Sequence, residues 1–197
     1  TWQKMLFVDE HTGAIDLAMD PRDPNTLFAA MYQRRRTSFG FSASGGGSGL
    51  YRSRDGGVSW AELTEGLPTG EKGRIGIDVY RGDGSILYVT VEAGDDEGGV
   101  FRSDDRGDSW SRVSTQNPRP MYFSLIRIDP NDSNHLYLGG TSLSASDDGG
   151  ESWWDADGDE VIHVDHHALW IDPSNSNHVL VGNDGGVSST WDGAENW

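Results

Sequence analysis

His163, His166 and His167 bring half of the chain's six histidines within five residues, in the segment HVDHHALWIDP (163–173). Asp165 stands among them, and Asp184 follows in GNDGGV (182–187). His163, Asp165 and His167 alternate, so an extended strand would turn all three to one side. Imidazole and carboxylate together ligate zinc and related divalent cations. The same groups bind sugar hydroxyls, or exchange protons as acid and base. They also build hydrogen-bonded clusters that only order a loop. The spacing is less specific than H-E-x-x-H, and N-D-G-G around Asp184 is a strong turn sequence in its own right. Three readings therefore stand side by side. His163, Asp165 and His167 are metal candidates, with no cofactor required and a divalent cation as the option. Asp165 and Asp184 are the catalytic candidates. A structural cluster is the third.

Two more segments carry binding chemistry. QRRRTSFGFSASGGGSG (33–49) places Arg34, Arg35 and Arg36 together, followed by Phe39 and Phe41. Arginine pairs carboxylates and phenylalanine covers apolar ligand surface, so this insertion reads as a flap that grips an anion or a peptide. A solvated loop that neutralises neighbouring acids has the same composition. NPRPMYF (117–123) adds Arg119, Tyr122 and Phe123, whose rings suit sugar stacking or ordinary packing. Together with His163, His166 and His167 these are the ligand-binding candidates. Gly45, Gly46 and Gly47 lack the Lys-Ser/Thr and the strand-to-helix setting of a phosphate loop.

Composition narrows the partners. Net charge is −17 over 197 residues, and such a surface repels phosphate backbones, so nucleic acid is a poor partner. No stretch approaches the 18 or more apolar residues of a membrane helix. There is no cysteine, which excludes disulfides and thiol catalysis. The 27 glycines and eight tryptophans, with short apolar runs, point to an all-β fold with many tight turns.

The elements that must position these residues are written in a repeat. SRDGGVSW (53–60), SDDRGDSW (103–110) and SDDGGESW (146–153) share S-x-D-x-G-x-S-W. TWDGAENW (190–197) is a weaker fourth, and Thr1-Trp2 reads as the end of a fifth. The period near 43 residues, lengthened by insertions, matches a four-stranded propeller blade. Blades are expected at about 2–60, 60–110, 110–153 and 153–197. Within each octet the Ser and Asp (Ser53/Asp55, Ser103/Asp105, Ser146/Asp148, and Asp192) suit hydrogen bonds to their own turn. Gly57, Gly107 and Gly150 supply positive φ. Trp60, Trp110, Trp153 and Trp197 bury large rings between blades. The octets are thus folding elements and not active sites.

The apolar pair Leu17/Met19 recurs as Ile77/Val79, Ile126/Ile128 and Leu169/Ile171, with period-2 spacing that turns each pair toward a neighbouring blade. In a propeller the first strand of each blade lines the axis, and ligand residues lie just before it and just after the second strand. The chain starts and stops at the same phase of the repeat. That leads to the expectation of a longer parent, whose further blades are partners of this segment. A peptide or glycan is the expected ligand.

The octets resemble the Asp-box, or BNR, repeat of sialidases, sortilin-type receptors, xyloglucan hydrolases and a photosystem assembly factor. Segments 33–60, 119–130 and 164–173 with 182–187 are similar to large bacterial sortilin-like proteins also described as "glycosyl hydrolase, BNR repeat" proteins. That resemblance implies an all-β propeller, an extracytoplasmic location and part of a larger ring. It leaves enzyme and binding module open. The F-R-I-P-like segment of sialidases is absent. Asp184 loosely resembles one carboxylate position of the xyloglucan hydrolases.

Overall fold

The computed structural model describes residues 1–158 and 161–197. Among these residues the strands form four antiparallel sheets in chain order plus one small hairpin, and no helix is long and apolar enough to cross a membrane. The first sheet holds β1 (Thr12–Met19), β2 (Leu27–Gln33), β5 (Gly49–Ser53) and β6 (Ala61–Leu63). The hairpin β3 (Arg35–Thr37) and β4 (Gly40–Ser42) projects between β2 and β5. The second sheet is β7 (Lys72–Val79), β8 (Leu87–Ala93), β9 (Gly99–Ser103) and β10 (Ser111–Ser114). The third is β11 (Leu125–Asp129), β12 (Asp132–Gly139), β13 (Leu143–Ser146) and β14 (Trp154–Asp155). The fourth has three strands, β15 (His166–Asp172), β16 (Asn175–Asn183) and β17 (Gly186–Thr190). Each is a meander in which sequential strands pair, as expected of propeller blades. The sheets run past their tryptophans, because the fourth strand follows the octet.

Three apolar cores lie between successive sheets rather than within them. Phe28, Leu50 and Leu63 of the first sheet pack with Ile75, Ile77 and Val79 of the second. Tyr88 and Val100 meet Ile126 and Ile128. Tyr137 and Ala145 meet Leu169 and Ile171. The inward pairs of the last three sheets therefore do what their spacing predicts. Leu17 and Met19 do not: they are 64% and 55% exposed, because among the described residues no sheet lies against β1 on that side. The far face of the fourth sheet is also open, with Trp170, Val187 and Trp191 exposed.

The octet turns explain why each sheet ends where it does. Ser53 Oγ donates to Asp55 Oδ1 (2.7 Å) and accepts from the Gly57 N–H (2.8 Å). Asp55 then accepts from the Ser59 N–H (2.8 Å) and hydroxyl (2.6 Å). Ser103/Asp105 and Ser146/Asp148 repeat this pattern, with Gly107 and Gly150 in the same role as Gly57. Thr190 and Asp192 reproduce it in the fourth octet, where Ala194 takes positive φ (73°) in place of glycine. These hydrogen bonds favour the charged form and hold Asp55, Asp105 and Asp148 down to a pKa of about 2, against the burial that opposes it at Asp105. Such acids stay ionised and engaged, which is a structural task. Trp110 is buried, and the half-buried Trp60 and Trp153 each donate Nε1–H to their octet glycine carbonyl at 3.0 Å.

Two aspartates stitch the first strands together near the axis, where no sheet ladder connects them. Asp16 Oδ2 accepts from the Ile77 N–H (3.1 Å), and Asp78 Oδ2 accepts from the Ile128 N–H (2.8 Å).

Candidate functional site

Residues from all four sheets meet where the first strands open. A polar hollow of about 180 Å3 is lined by Asp16 on β1, Arg74 on β7, Arg127 on β11, and His166 and His167 on β15, with Phe123 and Ser124 from the loop before β11. Each comes from the strand nearest the axis or its lead-in, so the stacking of sheets alone brings together residues as far apart in the chain as Asp16 and His167.

Aromatic rings sit at the entrance. Tyr122 and Phe123 meet edge to face (centroids 5.1 Å apart), and His167 lies 5.7 Å from Tyr122 and 5.2 Å from Phe123. The Arg119 guanidinium lies over Tyr122 at 5.2 Å. His167 Nε2 pairs with Asp184 Oδ1 at 3.2 Å, both half-exposed. Arg74 Nη1 donates to the Tyr122 carbonyl (2.8 Å), which ties the entrance to the second sheet. Arg119, Tyr122, His167 and Asp184 are thus one connected group, drawn from three segments that the sequence alone presents separately.

His166 is fully buried beside the hollow, and among the described residues neither ring nitrogen has a hydrogen-bond partner. Burial pushes its pKa below the ordinary histidine value, which favours the neutral ring.

The expected alternation of His163, Asp165 and His167 is not realised. β15 starts only at His166, and Asp165 takes a left-handed backbone (φ 68°) with its N–H bonded to the Thr141 carbonyl at 3.0 Å. That twist breaks the period-2 geometry on which a one-sided trio depends. His163 lies against Gly185, and its Nδ1 faces the Val164 carbonyl at 2.9 Å. Among the described residues no group of three His, Asp or Glu side chains is arranged to hold a metal ion. The trio His163, Asp165 and His167 is therefore not assembled as ligands.

The arginine-rich insertion forms the β3–β4 hairpin. Phe39 at its tip is wholly exposed, Arg34, Arg35 and Arg36 are exposed, and the Arg34 guanidinium lies 5.4 Å from the Phe41 ring centroid. Arg34 lies near enough to Arg74 for its charge to be felt there. The hairpin does not line the hollow.

Arg127 and Asp16 were not singled out from the sequence. Their signal was a charged residue set between apolar ones inside an axis-lining strand: L-I-R-I-D for Arg127 and A-I-D-L for Asp16.

No protein-family model matches the chain. The oligoxyloglucan-reducing end-specific xyloglucanase of Emericella nidulans is 30% identical over 98 residues, which is 48% of this chain and 12% of that protein. The chain thus spans about an eighth of the length of that curated relative. Among solved structures, an ancestral GH74 enzyme superposes with TM-score 0.64 at 19% identity, covering 96% of this chain and 24% of that one. YCF48 bound to D1 peptide superposes with TM-score 0.55 at 16% identity, covering 91% of this chain and 53% of that one. At these identities the structural likeness establishes the architecture: this chain is a set of β-propeller blades.

Proposed function

We propose that this chain is part of a larger glycoside-hydrolase-related propeller, and that it binds a glycan at the mouth formed by Arg119, Tyr122, Phe123, His167 and Asp184. The observation that carries this reading is the entrance itself: an exposed Tyr122 braced edge-on by Phe123 and His167, with polar groups beside it. An aromatic face with adjacent hydrogen-bonding groups is what a sugar ring needs, since it offers both C–H faces and hydroxyls. The partial likeness to xyloglucanases supports the same class. The bare faces of the first and fourth sheets support additional blades, because exposed apolar patches of this kind are sites of association. The Asp-box character of the octets and an extracytoplasmic location belong to this proposal. Tyr122→Ala is expected to weaken oligosaccharide binding by roughly tenfold, the equivalent of about 1.4 kcal/mol, with little change in stability because the ring is 48% exposed. Calorimetric titration of the full-length protein with xyloglucan and cello-oligosaccharides checks this. Unchanged affinity in Tyr122→Ala would remove the stacking role.

A second reading is favoured by the His167–Asp184 pair. In it the module hydrolyses the glycan, with Asp184 as acid or base, Asp165 as its partner carboxylate, and His167 holding Asp184 in place. Asp184→Asn should then lower the rate of hydrolysis at saturating substrate by about a hundredfold or more, well beyond any loss of affinity. Failure of the unaltered full-length protein to release reducing ends from any oligosaccharide it binds would end the enzyme reading and leave the binding one.

A further inference from the structure

The hollow beneath the aromatic entrance has an electrostatic character of its own. Arg74 and Arg127 bring two permanent positive charges to its lining, against the single lining carboxylate of Asp16, while the charges of Asp157 and Asp165 are felt at His166 from behind the lining. Arg74 commits one N–H to the Tyr122 carbonyl and Arg127 one to the Ile126 carbonyl at 2.6 Å. A guanidinium has five N–H donors in a fixed fork, so both retain donors for a ligand. Asp16 is already engaged: its Oδ1 accepts from the Leu17 N–H and its Oδ2 from the Ile77 N–H. The other acid near Arg74 is Glu92, whose charged form is disfavoured by burial, and Arg34 adds a further positive charge. His166 supplies the second, independent sign. It is a fully buried side chain beside the hollow with both ring nitrogens unpartnered among the described residues, and leaving a buried polar group unmet is costly. A fold tolerates that cost where the group meets a ligand.

In a chain of net charge −17, a local excess of guanidinium stands out against the overall field and draws anions to one spot. At about 180 Å3 the hollow has room for about six water molecules at ~30 Å3 each. That suits a single anionic substituent and excludes a whole sugar chain.

We propose that this hollow receives the anionic substituent, carboxylate or sulfate, of an acidic glycan. The glycan part rests on the reading above, and the anion part rests on the hollow alone. The sugar ring lies on the exposed Tyr122 and His167 rings, which the buried Phe123 braces from below, and its acidic group reaches down between Arg74 and Arg127 toward His166.

The test is calorimetric titration of the full-length protein with matched ligands at low salt: an oligogalacturonate, its neutral methyl ester, a sulfated oligosaccharide and its unsulfated parent. The expected result is at least tenfold tighter binding of a charged member than of its neutral match. That advantage should shrink at high salt, and in Arg74→Gln and Arg127→Gln it should fall to that of the neutral form. The charged form that binds identifies the anion. Because the matched pairs are compared on the unaltered protein, the test stands even where an arginine variant misfolds. Equal affinity for charged and neutral members overturns the anion site and leaves the glycan reading intact. Absence of binding to every oligosaccharide overturns both, and capture of a peptide with a free carboxyl terminus in the same assay would replace the glycan with a peptide.

Discussion

Gly66→Ala is expected to destabilise the fold by about 3 kcal/mol or more, from two costs that add at one backbone position. Gly66 sits at φ 79°, and a Cβ there would lie 1.9 Å from the Trp110 carbonyl oxygen and 2.9 Å from its carbon. The left-handed conformation alone costs an L-residue about 1–2 kcal/mol. The clash has no flexible side chain to absorb it, since the opposing atoms are backbone. Relief would pull apart the neighbouring hydrogen bond from the Trp110 N–H to the Glu65 carbonyl (3.0 Å). It would also move Trp110, which is buried with Phe28 and Leu63 in the core between the first two sheets. Gly70→Ala is the control, because nothing lies within 4 Å of its Cβ position. It should change stability by no more than about 0.5 kcal/mol. Urea unfolding followed by tryptophan fluorescence reads both. A Gly66→Ala loss below about 1 kcal/mol would show that the approach of these two backbones does not hold the sheets together.

Asp78→Asn is expected to abolish a pH dependence of stability between about pH 4 and 6. Burial raises the Asp78 pKa from 3.8 to about 6, against the lowering effects of the Ile128 N–H, Arg127 and the Val79 N–H. Asp16 adds a smaller raising effect. A group whose folded pKa lies above its unfolded one contributes stability at low pH. That contribution is complete below about pH 4 and is lost as the pH rises through about 6. The full shift corresponds to about 3 kcal/mol. By accessible area Asp78 is only half-buried, so about 2 kcal/mol is the better expectation. His166, with its lowered pKa, works in the opposite direction over the same range, and Glu92 works in the same direction as Asp78. The comparison is therefore between the variant and the parent chain at each pH. Asn offers one acceptor oxygen to the Val79 and Ile128 N–H groups that the carboxyl satisfies with two, so the variant starts below the parent near pH 4, and the difference should move in its favour by about 2 kcal/mol between pH 4 and 7.5. Parallel stability curves across that range would show that the carboxyl is solvated and not enclosed between the sheets.

Both expectations concern contacts between sheets, and this is where sequence and structure part. The octets were legible because their chemistry is local. Ser53, Asp55, Gly57 and Ser59 satisfy one another within seven residues, and so do their counterparts around Asp105 and Asp148. The apolar pairs from Ile77/Val79 onward were legible because strand period is a backbone property. Leu17 and Met19 share that period yet stay exposed, since burial needs a neighbour and spacing does not supply one. The grouping of His163, Asp165 and His167 failed because one residue, Asp165, turns left-handed and ends the regularity on which it relied.

The amino-acid order alone determined the repeat, the turns that close each sheet and the all-β architecture, since each depends on interactions a few residues apart. Only the tertiary structure decided which side chains share the axis. Asp16, Arg74, Arg127 and His166 meet because four sheets stack in sequence. The position of each relative to the others is set by inter-sheet packing and not by any spacing along the chain.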